Sequence, residues 1–236
     1  MWKLNAILLT ILGAAKVAIT CDSLEQCFEE LNESFEALDV TLPTENDLKR
    51  MCPLARKSFS CFHRKIKLCT GMTTAERALL KDNEIASNAA ETLLNMENMA
   101  DDLCNNKSTL HRSYVQSVTC ANEYFATQED HFRRKGSSAY EAYKELQNTL
   151  PEESDNGMPI KEECLIQAFS LMCLSEDLQK VCGKVAQETF IEIVQGSKYL
   201  RYYFCSEGDI QELNLKLHQI SKLRKNDKLL FLWYLI

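Results

Sequence analysis

The sequence predicts an all-α, disulfide-bonded multi-helix bundle, and two features of the chain carry this prediction. The 236 residues include 11 cysteines but only seven glycines and four prolines, which argues against turn-dense β folds. Apolar residues recur at spacings of three and four, whereas period-two runs of β-branched and aromatic residues are absent. A chain of this length can bury a core without cross-links. The cysteines therefore indicate an oxidising, protease-rich setting.

The first 20 residues are predicted to be a secretory signal peptide. Lys3 supplies the positive start, and the stretch from Leu4 to Ala15 is an apolar core followed by small residues. Ala18 and Thr20 fit the positions before a cleavage site, which makes Cys21 the first mature residue; cleavage after Ala15 is the alternative. The apolar run is too short for a membrane anchor. We therefore expect a secreted, extracellular protein without stable membrane insertion.

The charge balance disfavours nucleic acid as a partner. Removal of the signal peptide takes away Lys3 and Lys16, and the formal net charge changes from −7 to −9. An acidic protein repels polyanions, and so we expect no nucleic-acid partner and no binding to anionic lipid.

Cysteine spacing predicts two related helical blocks. The first block is predicted to span residues 21–150 and the second residues 161–225, with an acidic, turn-rich linker at 151–160. In each block three cysteines lie eight or nine positions apart, and a fourth follows another helical stretch, which indicates a weak internal repeat. The two sets are Cys52, Cys61, Cys69 with Cys104, and Cys164, Cys173, Cys182 with Cys205. Residues 226–236 form an apolar tail, interpreted as a segment folded onto the body or as a partner-binding tail.

Four signals define the start of the first block. A helix is predicted over residues 23–38, and Thr44 is predicted to cap the next helix with Asp47 at its third position. Pro53 removes a backbone donor and disfavours a helical Cys52, so a kink or restart is expected there. This helix is predicted to end near Gly71.

Further capping signals divide the rest of the first block. Thr73 and Glu76 form a capping box that opens a helical stretch reaching Cys104, with a break near 82–83. The next helix is predicted over residues 108–135, and its basic end before Gly136 resembles a helix C-terminus. A short helix is predicted to follow from Ser138 to 150.

The second block is predicted to begin with a buried helix from Cys164 to Cys182. Apolar residues cover most of its circumference, and nine-residue steps place successive cysteines on opposite faces. A second helix is predicted over 185–203, followed by an amphipathic stripe over 210–223. If the two helices form an antiparallel hairpin about Gly183, its ends come together, which predicts a Cys164–Cys205 disulfide.

The remaining cysteines are also predicted to be disulfide-bonded, with one exception. Cys173 and Cys182 would join the hairpin to the first block through Cys69, Cys104 or Cys120. Because the total is odd, one thiol is left over, and Cys21 at a new N-terminus is the candidate for the unpaired residue. The cysteines predicted to be bonded with partners unassigned are Cys27, Cys52, Cys61, Cys69, Cys104, Cys120, Cys173 and Cys182.

Two sequons predict N-glycosylation, at Asn32 and at Asn106. Asn32 lies on the first predicted helix, beside its apolar stripe. Asn106 lies in a predicted turn, where attachment of a glycan is easier.

No motif predicts catalysis or metal binding. The four histidines, His63, His111, His131 and His218, lack the spacing of a metal site, and no nucleophile elbow or phosphate-binding glycine loop is present. His63 lies among three basic residues and is interpreted as part of a solvated helix face. We therefore predict no catalytic residues, no metal, no cofactor and no enzymatic activity.

The run from Leu42 to Leu48, with Cys52, Pro53 and the later cysteines, resembles secreted arthropod proteins of the 27 kDa haemolymph glycoprotein type. So does the pattern Cys164, Cys173, Lys180-Val-Cys182-Gly183 and Cys205. This resemblance covers roughly Cys21 to Cys205. It implies an all-helical, disulfide-bonded extracellular protein of haemolymph and, in some relatives, of venom or saliva, without an activity that can be assigned to a residue. The apolar tail departs from the pattern.

Two functions remain open after these observations. The first is a non-catalytic binding or recognition protein that acts by surface contact with an extracellular protein. The alternative is a carrier of a small apolar ligand or lipid, or a venom or saliva component. Small helical carriers usually show a Cys-x3-Cys step, which this chain lacks.

Overall fold

The computed structural model describes residues 24–27, 29–38, 41–80, 84–128, 131–147, 161–198, 200–201, 204–206 and 208–213. Within these ranges the chain is helical and has no strand, which confirms the all-α, disulfide-bonded bundle. The predictions for the signal peptide, Cys21, the 151–160 linker and the 226–236 tail lie outside the described residues.

The described chain contains one 3-10 turn and eight α-helices. The turn is Glu25–Cys27, and the helices are α1 (Glu29–Glu36), α2 (Glu45–Thr70), α3 (Thr74–Leu79), α4 (Glu84–Cys104), α5 (Thr109–Gln128), α6 (His131–Gln147), α7 (Glu162–Cys182) and α8 (Lys184–Gly196). The chain divides into two compact units, unit 1 up to Ala126 and unit 2 from Thr127 onward.

The cap predicted at Thr44 and the capping box predicted at Thr73 and Glu76 are both confirmed. At the start of α2, Thr44 Oγ1 accepts from the Asp47 N–H at 3.4 Å, and the Asp47 carboxylate accepts from the Thr44 N–H at 3.0 Å. Thr73 and Glu76 repeat this pattern at the start of α3. Each box satisfies backbone donors that a helix N-terminus leaves without a partner. The helical stretch predicted from Thr73 to Cys104 is divided into α3, which ends at Leu79, and α4, which begins at Glu84. The position of the predicted break, residues 82–83, lies outside the described residues.

The helix restart predicted at Pro53 is wrong, because α2 runs through this proline without interruption and ends at Gly71, as predicted. A proline inside a helix costs roughly 3 kcal/mol through the lost hydrogen bond and ring clash. Here Met51 and Cys52 are buried immediately before it, and α2 packs against α4. Burial of this apolar face offsets the local cost, which the sequence pattern alone does not reveal.

The segment 41–44, which leads from α1 into α2, is held by side chains of α5. The Tyr114 hydroxyl donates to the Pro43 carbonyl at 2.7 Å. The Asn122 amide donates to the Leu42 carbonyl at 2.9 Å and accepts from the Leu42 N–H at 2.8 Å. Burial raises the pKa of the Tyr114 phenol, and the nearby Asp47 carboxylate adds to this effect. The backbone polar groups of this connection are therefore paired without a sheet or helix ladder.

In unit 2, the helix end predicted at Gly136 is wrong. Helix α6 begins at His131 and continues through Gly136 to Gln147, so the separate short helix predicted from Ser138 is part of α6. A Cβ on Gly136 would lie 2.8 Å from the Ser170 Cα on α7, closer than side chains pack. Glycine is therefore placed here by a close contact between two helices, and not by a helix terminus.

Helix α6 packs against α7 and belongs to unit 2. The first compact unit thus ends at Ala126, whereas the first block was predicted to reach residue 150. The side chain of Lys135 on α6 lies 2.8 Å from both carboxylate oxygens of Asp177 on α7, and Asp177 is buried. This ion pair crosses the same helix contact as Gly136.

Helix α7 is buried around most of its circumference, as predicted, and also packs against α8. Gly183, with φ of 86°, separates the two helices. Helix α8 ends at Gly196, earlier than the predicted 203. A third capping box follows: the Asp209 carboxylate accepts from the Ser206 N–H at 2.6 Å and also from the Lys161 N–H at 2.9 Å. It thereby connects the chain before α7 to the turn after α8.

Candidate functional site

Two disulfides cross-link the helices of unit 1. Cys27 in the 3-10 turn bonds to Cys61 on α2, with a Cα–Cα distance of 5.5 Å. Cys52 on α2 bonds to Cys104, the last residue of α4, at 5.7 Å. Both distances lie within the range that a disulfide requires.

In unit 2, the predicted Cys164–Cys205 disulfide is present, with a Cα–Cα distance of 4.9 Å. Both residues are almost fully buried. The bond joins the start of α7 to the chain beyond α8, as expected if the two helices fold back on each other. Three further cysteines are disulfide-bonded as predicted: Cys69, Cys120 and Cys182.

The prediction of a disulfide at Cys173 is wrong, because this residue is a free, half-buried thiol. The two helices that pack against α7, namely α6 and α8, contain no cysteine, so no bonding partner is presented along most of α7. Burial raises the pKa of the Cys173 thiol, and the Glu176 carboxylate raises it further. The expected leftover thiol is thus found on α7, whereas Cys21 lies outside the described residues. Cys104 is bonded to Cys52 and so is not the partner of Cys182.

His63 is part of a polar contact among three helices, so its interpretation as a solvated helix face is wrong. Its Nδ1 lies 2.6 Å from Thr74 Oγ1 on α3, and its Nε2 lies 2.7 Å from Glu97 Oε2 on α4. The two partners are 11 and 34 positions away in sequence. No motif spacing signals such a contact, which requires knowledge of how α2, α3 and α4 pack.

Thr74, His63 and Glu97 place a hydroxyl, an imidazole and a carboxylate in sequence. The same sequence of groups occurs in enzymes where a base activates a hydroxyl nucleophile. A nucleophile must, however, be reached by a substrate. Thr74 is only 2% exposed and is the first residue of α3. The geometry therefore favours a structural contact that joins three helices over a catalytic one.

A pocket of about 280 Å³ lies between α2 and α4. It is lined by Ala55, Arg56, Phe59, Glu97, Ala100, Asp101 and Cys104. Arg56 Nε donates to Asp101 Oδ1 at 3.3 Å, and both side chains are more than half exposed. Glu97 connects the pocket to His63, and the Cys52–Cys104 disulfide fixes one end of its wall. This pocket is the candidate functional site.

The two predicted glycosylation sites differ in accessibility. Asn106 is exposed in the turn between α4 and α5. Asn32 is half-exposed on α1, and its amide donates to Glu36 Oε1 at 3.0 Å. Asn106 is therefore the more open of the two positions, and glycosylation at either stays a prediction.

Neither a metal-ligand cluster nor a membrane-spanning helix is present among the described residues. No three or more His, Cys, Asp or Glu side chains converge there as ligands for a metal ion. None of the helices in the described part of the chain has the length and apolar character that a membrane span requires.

Comparisons with protein-family models, with curated proteins and with solved structures found no match. The fold and the cross-links define a class of protein, namely an all-α protein whose helices are joined by disulfides.

Proposed function

We propose that this chain is a secreted extracellular protein, of the 27 kDa haemolymph glycoprotein type, that acts in binding or recognition and has no catalytic role. The observation that carries the proposal is the state of the cysteines: nine of the ten in the described residues are disulfide-bonded. Disulfides form and persist in oxidising compartments and are rare in the cytosol. In this proposal the cross-linked helices present a fixed surface to an extracellular partner protein.

The burial of Thr74 supports the non-catalytic part of the proposal. The one described contact that resembles catalytic machinery is the Thr74–His63–Glu97 group, and its hydroxyl is inaccessible to a substrate. A structural role accounts for the group, because one imidazole then satisfies polar groups from two neighbouring helices.

The alternative of an apolar-ligand carrier has less support from the pocket between α2 and α4. Three of its seven lining residues are charged, Arg56, Glu97 and Asp101, and its volume of about 280 Å³ is below the usual range for small-molecule sites. A lipid chain would bury these charges without compensation. A venom or saliva component would share the same scaffold and differ only in the fluid that contains it.

Expression of the whole chain in insect cells tests the proposal. We expect soluble protein in the medium whose mass falls on glycosidase treatment. Asn106→Gln is expected to remove one glycan, whereas Asn105→Gln, at the adjacent exposed residue that is not part of a sequon, is expected to leave it. Retention of the chain in the cytosol would contradict secretion, and equal glycan loss in both variants would contradict attachment at Asn106.

A thiol assay tests the cysteine state on which the proposal depends. Alkylation of the denatured, unreduced protein is expected to label Cys173 and to leave the nine bonded cysteines unlabelled. Labelling of Cys164 or Cys52 in freshly secreted protein would show that these residues serve another purpose.

A further inference from the structure

The pocket between α2 and α4 contains two carboxylates with unused hydrogen-bonding capacity. Glu97 and Asp101 lie four residues apart on α4, which places them on one face of the helix. Glu97 uses Oε2 to contact His63, and Asp101 uses Oδ1 to accept from Arg56. The second oxygen of each carboxylate, Glu97 Oε1 and Asp101 Oδ2, has no hydrogen-bond partner among the described residues. Because both residues line the pocket, each carboxylate can offer a further acceptor to a ligand there.

The charges that line the pocket favour a cation. Among the lining residues two carboxylates face one guanidinium, and these three side chains carry a formal net charge of −1. An anion would meet both carboxylates. The Arg56 guanidinium already lies against Asp101 through one N–H, so a bound cation would compete with Arg56 for this carboxylate.

The rest of the pocket lining suits a short hydrocarbon. Ala55 and Ala100 have small side chains that leave room between the two helices, and the Phe59 ring forms part of the wall. Aromatic rings attract cations as well as apolar groups. A volume of about 280 Å³ admits a compact molecule and excludes a long lipid chain.

We propose that this pocket binds a small organic cation, a primary ammonium or guanidinium group on a short apolar stem. The charged group is held by Glu97 Oε1 and Asp101 Oδ2, and the stem lies against Ala55, Phe59 and Ala100. This inference goes beyond the proposed recognition of a partner protein, because it adds a compact small-molecule ligand that binds in unit 1.

Calorimetric titration of the full-length secreted protein with phenethylammonium tests the proposal. 2-Phenylethanol and phenylacetate have nearly the same size and carry a neutral and a negative group, respectively. We expect heat of binding from the ammonium compound and none from the other two. Absence of ammonium binding would overturn the proposal, and so would equal binding of the alcohol, because the carboxylates would then have no role.

Three variants locate the binding site. Asp101→Asn is expected to weaken ammonium binding roughly fivefold, as for a partly exposed ion pair. Asp102→Asn removes the same charge from the adjacent exposed residue, which does not line the pocket, and is expected to leave affinity unchanged. Arg56→Gln removes the competing cation and is expected to tighten binding. Equal weakening by Asp101→Asn and Asp102→Asn would overturn the site, since it would indicate general surface attraction.

The outcome of this titration is independent of the tests of secretion. If the protein is secreted, glycosylated and oxidised but does not bind the ammonium probe, only the proposed cation site is contradicted. A chain retained in the cytosol would instead contradict the proposed function, whatever the titration shows.

Discussion

Units 1 and 2 are both helical and disulfide-bonded, yet they hold their helices together in different ways. In unit 1, polar side chains join the helices: His63 contacts α3 and α4, and Tyr114 and Asn122 bind the segment before α2. In unit 2, helices approach closely at Gly136 and Ser170, beside the buried Asp177 carboxylate. Unit 1 therefore shows polar side chains that join three helices, whereas unit 2 shows two helices whose backbones approach closely.

The largest expected effect comes from removing the disulfide of unit 2. The double variant Cys164→Ala, Cys205→Ala releases a loop closed over 41 positions. The chain-entropy model predicts a loss of about 4 kcal/mol in the free energy of unfolding. Urea titration followed by circular dichroism measures this loss.

Cys173→Ala is the matched control, since it removes a sulfur from the same helix without breaking a bond. We expect a change of less than about 1 kcal/mol, as for the removal of one partly buried group. If the control and the double variant lose similar free energy, packing alone stabilises unit 2 and the disulfide contributes little.

Gly136→Ala tests the close helix contact and reverses an ordinary expectation. In a helix interior, alanine is usually about 1 kcal/mol more stable than glycine. At Gly136 the added methyl group meets the Ser170 backbone, and we expect a net destabilisation of about 2 kcal/mol from overpacking. The measurement is the midpoint of thermal or urea unfolding.

Gly208→Ala is the control, because a Cβ there would lie 3.8 Å from Ser206 Oγ, an ordinary contact. We expect this variant to be neutral or slightly more stable than the natural chain. A stabilised Gly136→Ala variant would show that α6 and α7 separate readily, and would weaken the contrast between the two units.

The smallest expected effect is the contribution of two capping aspartates, Asp209 and Asp47, to the free energy of unfolding, and it is compared at neutral and acid pH. Burial raises the pKa of Asp209, but hydrogen bonds from Ser206 and Lys161 outweigh this and lower it. The pKa of Asp47 is lowered chiefly by the hydroxyl of Thr44. A lowered folded-state pKa adds stability that is complete above the unfolded pKa, near 3.8, and is lost as the pH falls through the folded-state value.

We expect Asp209→Asn to cost about 1 kcal/mol at neutral pH, and Asp47→Asn somewhat less, because Asp209 also accepts from the backbone of Lys161. The difference between each variant and the natural chain should shrink as the pH falls below about 3.8 and through the lower folded-state pKa values, because both folded carboxylates become protonated only there. Unfolding free energies measured from neutral to acid pH test this. If the difference in unfolding free energy persists at acid pH, the aspartate stabilises the fold through packing and not through its charge.

The contrast between the units explains which parts of the fold were predictable from sequence. The Thr44–Asp47 and Thr73–Glu76 caps act over three residues, so the local pattern was sufficient to predict them. The prediction of a helix end at Gly136 failed because the same residue type also serves close packing, and the neighbouring helix is 34 positions away. At Pro53 the expected energetic cost of a proline inside a helix is real, but burial of the apolar face of α2 outweighs this cost and the helix continues.

Sequence patterns could not predict the candidate site either, because it also depends on contacts between residues that are far apart in sequence. Glu97 and Asp101 have a helical spacing that is common on solvated faces, and their meeting with Arg56 depends on the packing of α2 against α4. The disulfide at Cys164 was predictable because chain length and one turn at Gly183 determine which residues lie opposite each other. The free thiol at Cys173 followed from which neighbouring helices lack cysteine, and that requires the fold.

The segment 41–44 carries a consequence for survival in a fluid rich in proteases. An endoprotease binds its substrate as an extended strand, with several consecutive backbone groups exposed to the enzyme. Here the Leu42 N–H and carbonyl and the Pro43 carbonyl are already engaged by Asn122 and Tyr114. Cleavage therefore requires these side chains on α5 to release the segment first. The segment is therefore expected to resist cleavage for as long as α5 holds it.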